Sequence, residues 1–160
     1  MSSPLNPSEQ LHMAVEMECR GQGLYLRAQR LTDDAKLHAL LGDLAKEEAI
    51  HYELFSAMLE EMDEPVTSEE RIQLAQAMAG DAFYPGGLMQ LSAEGGLASR
   101  EAMLQAAIRA EEDSIAYYTN LLAKLAGKAA ETVRRILQEE EGHLRTLRAW
   151  LQAPHGEDGM

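Results

Sequence analysis

Two Glu-x-x-His tetrads, Glu48-Ala-Ile-His51 and Glu140-Glu-Gly-His143, constrain this chain more than any other feature. A glutamate and a histidine three residues apart on a helix emerge on one face, about a turn from each other. Both pairs fall in phase with apolar stripes. The first lies between Leu37, Leu41, Leu44 and Phe55, Met58, Met62; the second lies between Val133, Ile136, Leu137 and Leu144, Leu147, Leu151. A stripe of this kind is the face that a helix buries. The carboxylates and imidazoles are therefore directed into a core. Each tetrad also follows, at nearly equal distance, another glutamate on an apolar stripe: Glu18 precedes Glu48 by 30 residues, and Glu111 precedes Glu140 by 29. Ala14-Val-Glu-Met-Glu18 parallels Ala107-Ile-Arg-Ala-Glu111, and Tyr25 and Tyr118 each follow their glutamate by seven residues. The pattern is that of a duplicated helical hairpin.

The rest of the chain agrees with four helices. The first begins after Pro7 and buries Leu11, Ala14, Val15, Glu18, Gln22, Tyr25 and Ala28. Leu31-Thr-Asp-Asp34 supplies a break and cap residues for the second helix, which ends before Pro65. Ser99 caps a third, whose stripe runs from Met103 through Glu111, Ser114 and Tyr118 to Leu125, with Gly127 as its terminator. The fourth stops before Pro154. Alternation is too rare for a sheet, so the predicted class is all-α, a four-helix bundle over 8–152. Its parts are a first hairpin at 8–62, a crossover at 63–98 with a short helix from about Thr67 to Ala79, and a second hairpin at 99–152.

Four inward carboxylates need a reason. Burying one unpaired carboxylate costs several kcal/mol, and four repel one another. Two divalent cations would neutralise the charge of Glu18, Glu48, Glu111 and Glu140, with His51 and His143 completing a mixed oxygen and nitrogen set. That set suits iron or manganese better than a thiolate-seeking metal. The single cysteine, Cys19, excludes an intrachain disulfide and any four-cysteine site. A formal charge of -13 disfavours nucleic acid and anionic lipid as partners. With no 18-residue apolar run and no signal-like N-terminus, the expectation is a cytoplasmic protein.

These motifs identify a resemblance. Glu18 with Tyr25, Leu44-Ala-Lys-Glu-Glu-Ala-Ile-His51, Glu111 with Tyr118, and Glu139-Glu-Glu-Gly-His143 resemble the rubrerythrin-like branch of the ferritin-like diiron superfamily over residues 8–152. The resemblance implies a ferritin-like bundle in which Glu18, Glu48, His51, Glu111, Glu140 and His143 hold two irons. It further implies that Tyr25 and Tyr118 hydrogen-bond to ligating carboxylates. The activity implied is reduction of hydrogen peroxide or dioxygen, served by a separate electron donor, in a homodimer. A ferroxidase or iron-storage role is the main alternative, and a manganese catalase-like enzyme is another. Two departures bear on the choice. Rubrerythrins carry a second glutamate three residues after the third-helix ligand, where this chain has Ser114, and its duplicate position holds Gly21. They also carry a four-cysteine rubredoxin domain, which the single Cys19 cannot replace. Among the remaining residues, Cys19 is expected as a small packed thiol, His38 and His155 at the surface, and Trp150 at a helix end or interface.

Overall fold

Asn6 opens the first helix by a reciprocal cap. Its side chain accepts from the Glu9 backbone N–H at 2.8 Å, while the Glu9 carboxylate accepts from the Asn6 N–H at 2.9 Å. The computed structural model that shows this describes residues 6–62, 69, 71–73 and 99–153. Four helices follow: α1 (Pro7–Leu31), α2 (Ala35–Glu61), α3 (Arg100–Leu122) and α4 (Gly127–Gln152). Asp34 caps α2 through the Lys36 and Leu37 N–H groups, and Ser99 caps α3 through that of Ala102. All secondary structure among the described residues is helical.

The link between α3 and α4 differs from the sequence expectation. α3 ends at Leu122, and Gly127 opens α4 instead of closing α3. Lys124 and Leu125 donate to the carbonyls of Leu121 and Leu122 in tight three-residue turns, which wind the helix down early. Gly127, at φ +63°, takes a conformation that costs other residues, and it turns the chain into α4.

α1 packs along α2, and α3 along α4, giving two hairpins that meet through α1–α3 and α2–α4 contacts. Tyr25 meets Glu111 and Tyr118 meets Glu18, so α1 and α3 run antiparallel. α2 and α3 are then parallel, and the chain between them must return along the bundle, about 40 Å for a helix as long as α2. This is the ferritin-like arrangement. Most of the predicted crossover at 63–98, with its short helix, lies outside the described residues; Glu69 and Arg71–Gln73 are helical. Arg71 clasps the buried Glu9 carboxylate with two hydrogen bonds, 2.7 and 2.9 Å long, which tie this segment to the start of α1.

The core forms two apolar layers. One gathers Leu24, Leu41, Leu44, Leu104 and Leu147, and the other gathers Leu11, Met17, Phe55, Leu121 and Ile136. Trp150, expected at an end or interface, is 8% exposed and packs in the first layer. Its carbonyl accepts from Arg100 at 2.7 Å, so the end of α4 closes over the start of α3. Cys19, expected to be packed, is exposed: it follows Glu18 by about 100° around α1, and that turn carries it past the buried stripe. No helix among the described residues is long and apolar enough to cross a membrane.

Candidate metal centre

Between the two apolar layers lies a polar one. Glu18, Glu111, Glu140 and His51 are at most 1% exposed, and Glu48 is 6% exposed. His143 is slightly more open. The helical phase that buries Leu and Met on each stripe buries these groups as well, since i, i+3 and i+4 share a face. Each helix contributes: Glu18 from α1, Glu48 and His51 from α2, Glu111 from α3, and Glu140 and His143 from α4.

The side chains converge in two triads. Ligating atoms of Glu18, His51 and Glu140 lie within 4.8 Å of one another, and so do those of Glu111, Glu140 and His143. Glu140 belongs to both. His51 Nδ1 lies 2.8 Å from Glu140 Oε1 and 3.7 Å from Glu18 Oε2, while His143 Nδ1 lies 3.8 Å from Glu111 Oε1. Glu48 stands outside both triads, with its carboxylate against Gly21. A Cβ at that position would come within 2.8 Å of Glu48 Oε2.

The tyrosines frame this layer. Tyr118 donates to Glu18 Oε1 at 2.6 Å, and Tyr25 donates to Glu111 Oε1 at 2.5 Å. Each tyrosine thus serves the glutamate of the other half of the duplication. The sequence signalled both residues, but not this exchange, which follows from the antiparallel register of α1 and α3. Each ring is rooted in one apolar layer, so the polar layer is shut on both sides.

Electrostatics show a site short of positive charge. Burial, then the charges of Glu18 and Glu140, holds Glu48 well above the usual carboxylate range. Burial also lifts Glu140 to about 7, opposed by its contact with His51 and assisted by Glu18. Burial alone would lower His51, but its contacts with Glu140 and Glu18 prevail and raise it to about 11. His143 is lowered by burial and by the positive charge on His51.

The unsatisfied atoms indicate what the site can take. Glu18 Oε2, Glu111 Oε2, both Glu140 oxygens and the Nδ1 atoms of His51 and His143 are buried without a hydrogen bond. Buried polar atoms of this kind call for an explanation. All of them are lone-pair donors of the type that iron and manganese accept. The two Glu- and His-rich clusters are consistent with a dimetal site.

Two side chains next to these residues are not marked as site groups by the sequence. Glu139 Oε2 lies 2.7 Å from His51 Nε2, and Glu47 approaches the same pair. Each stands in an acidic run that reads as solvated surface, and nothing in the periodicity separates them from such a run. His12 and Cys19 join neither triad.

The rubrerythrin family model matches residues 9–151. The chain belongs to the rubrerythrin family. Among solved structures it is similar to a candidate ferritin-like diiron-carboxylate protein from Thermotoga maritima, with a TM-score of 0.72 and 24% identity. That match covers 95% of this chain and 98% of the other. At this identity the likeness concerns the fold. No curated protein matches. Membership of the rubrerythrin family agrees with the four-helix architecture and with the paired Glu and His clusters.

Proposed function

We propose that the protein is a non-haem diiron oxidoreductase that reduces hydrogen peroxide or dioxygen. In this reading Glu18, Glu48, His51, Glu111, Glu140 and His143 hold two irons, with manganese as the alternative metal. A separate protein or small reductant supplies electrons, and the working form is a cytoplasmic homodimer. The observation that carries the reading is Glu140, a fully buried carboxylate common to two Glu/His triads whose unsatisfied atoms face one another.

The metal pair, when bound, supplies the two-electron redox chemistry that these side chains lack. The protein's part can be derived from the chain. Tyr25 and Tyr118 each hold one oxygen, Oε1, of Glu111 or Glu18 and leave the second, Oε2, buried without a hydrogen bond; that of Glu18 lies 3.7 Å from His51 Nδ1. The apolar layers exclude bulk water, which strengthens every charge interaction between them. The carboxylates favour the higher metal charge, because four negative groups are more fully balanced by it. In the metal-free protein Glu140, at about 7, and His51, raised to about 11, hold the protons that a bound metal pair would displace.

The test is anaerobic loading with Fe(II), followed by rapid mixing with peroxide and separately with oxygen. Two irons per chain and multiple turnovers of peroxide in the presence of a reductant are expected. Iron accumulation beyond two per chain, without turnover, would assign the site to ferroxidase chemistry instead. Glu140→Ala should abolish binding of the pair.

A further inference from the structure

The duplication predicts two equivalent histidines, and the structure does not make them so. His51 is sealed from solvent and its Nε2 meets Glu139 Oε2 at 2.7 Å, with a Glu47 oxygen within 4.8 Å of the same cluster. Glu47 and Glu139 occupy matching places, each directly before the glutamate of its tetrad. Symmetry would therefore give Glu47 to His143. Both acids gather at His51 instead. The His143 ring is 17% exposed and makes no hydrogen bond among the described residues.

We propose that Glu139 is a positioning residue for His51, and that it makes the two metal positions unequal, the one at His51 being the tighter. This rests on the two-metal reading above. The physical reason lies in the two ring nitrogens. A carboxylate that accepts from Nε2–H fixes the ring with the Nδ1 lone pair turned inward, towards Glu18 and Glu140, and makes Nδ1 the stronger donor. It also holds the ring plane, so no rotation need be frozen when a metal arrives. His143 lacks both effects. Removing such an outer partner costs about 10–100-fold in metal affinity in known sites.

The experiment titrates the whole protein with Co(II), which gives a visible-absorption signature without oxygen chemistry. Wild type, Glu139→Ala, Glu139→Gln and Glu47→Ala are compared by calorimetry at one pH. Wild type should bind two Co(II) with unequal affinity. Glu139→Ala should weaken the tighter site by about 10–100-fold and the weaker one much less, since only the Glu139 charge, and no hydrogen bond, reaches His143. Glu139→Gln keeps an acceptor oxygen and should lose less. Glu47→Ala, which removes a neighbouring charge without breaking the hydrogen bond, should leave both sites in place. Action through His51 is checked by a cycle: Glu139→Ala should have little effect in a His51→Ala background and its full effect on the His51 position in a His143→Ala background.

The inference is overturned by equal Co(II) sites in wild type, by an equal loss at both sites, or by Glu47→Ala matching Glu139→Ala. Should wild type bind fewer than two Co(II), the two-metal reading itself falls. Glu139 is partly exposed at 38% of its side chain, so its replacement leaves the core packing intact.

Discussion

Tyr25 and Tyr118 show how much a single hydroxyl is asked to do in this bundle. Each is at most 1% exposed, and each donates to a carboxylate whose other oxygen, Oε2, is buried without a hydrogen bond. A hydrogen bond to a charged group contributes about 1.5–3 kcal/mol. Tyr25→Phe and Tyr118→Phe should therefore each lower the unfolding free energy of the metal-loaded protein by about that amount, measured by denaturant titration. Losses below the scatter of the titration for both variants would mean that the carboxylates find other partners. The two losses need not add, since both glutamates belong to one charge cluster. The tyrosines were legible in the sequence from their seven-residue offset; their exchange of partners was not, because an offset within a helix carries no information about register between helices. Glu139 was harder still. A carboxylate beside two others has the same sequence signature whether it faces water or an imidazole, and only the approach of α4 to α2 distinguishes them.

At the scale of elements, Gly21 illustrates two effects in opposition. A glycine inside a helix costs about 0.5–1 kcal/mol relative to alanine. By that measure Gly21→Ala should stabilise α1. The Cβ, however, would meet Glu48 Oε2 at 2.8 Å and Cδ at 3.1 Å. Overpacking of this sort costs about 1–3 kcal/mol when the neighbour cannot move. Glu48 is a flexible side chain and can move, so the metal-free protein should show little net change in melting temperature. Metal binding is different, because the proposed ligand set includes Glu48. Gly21→Ala should weaken binding of the metal pair clearly while sparing the fold, and calorimetric titration beside a thermal melt separates the two. Unchanged metal affinity would show that Glu48 reaches its working position away from Gly21. The helices themselves were legible because stripes, caps and breaks coincided: Asp34 and Ser99 act as caps where the sequence places them. The place of Gly127 was not legible, since a glycine after an apolar run serves equally to end one helix or to begin the next. Cys19 shows the same limit near a stripe's edge, where a few tens of degrees separate core from solvent.

For the whole molecule, the decisive quantity is the charge enclosed between two apolar layers, and it yields a prediction about pH. In the metal-free protein Glu140 is raised to about 7, and Glu48 also lies well above its ordinary value of 4.5. The native form then binds protons that the unfolded chain releases, so each group's contribution to stability declines as pH rises through that interval. His51, raised from 6.5 to about 11, acts in the same direction: its stabilisation is complete below 6.5 and is lost as pH climbs towards 11. His143 opposes them. It is lowered from 6.5, so the unfolded chain takes up its proton first on acidification, and stability falls at low pH on its account. Above 6.5 that opposing contribution is spent. The metal-free protein should therefore lose thermal stability steadily from pH 6.5 to about pH 9. The loaded protein should behave otherwise, because metal displaces protons from the same oxygens and from Nδ1, and its binding grows stronger as they become easier to remove. The gap between the loaded and metal-free melting temperatures should widen across this range. Glu140→Gln should flatten the metal-free curve near pH 7, since the amide does not titrate, and on the proposed ligand set it should narrow the gap. Melting curves at several pH values, with and without Fe(II) under anaerobic conditions, measure both quantities. A metal-free protein that grew more stable from pH 6.5 to about pH 9 would show that the carboxylates are not held protonated between the layers, and that the enclosed charge is balanced by some other means.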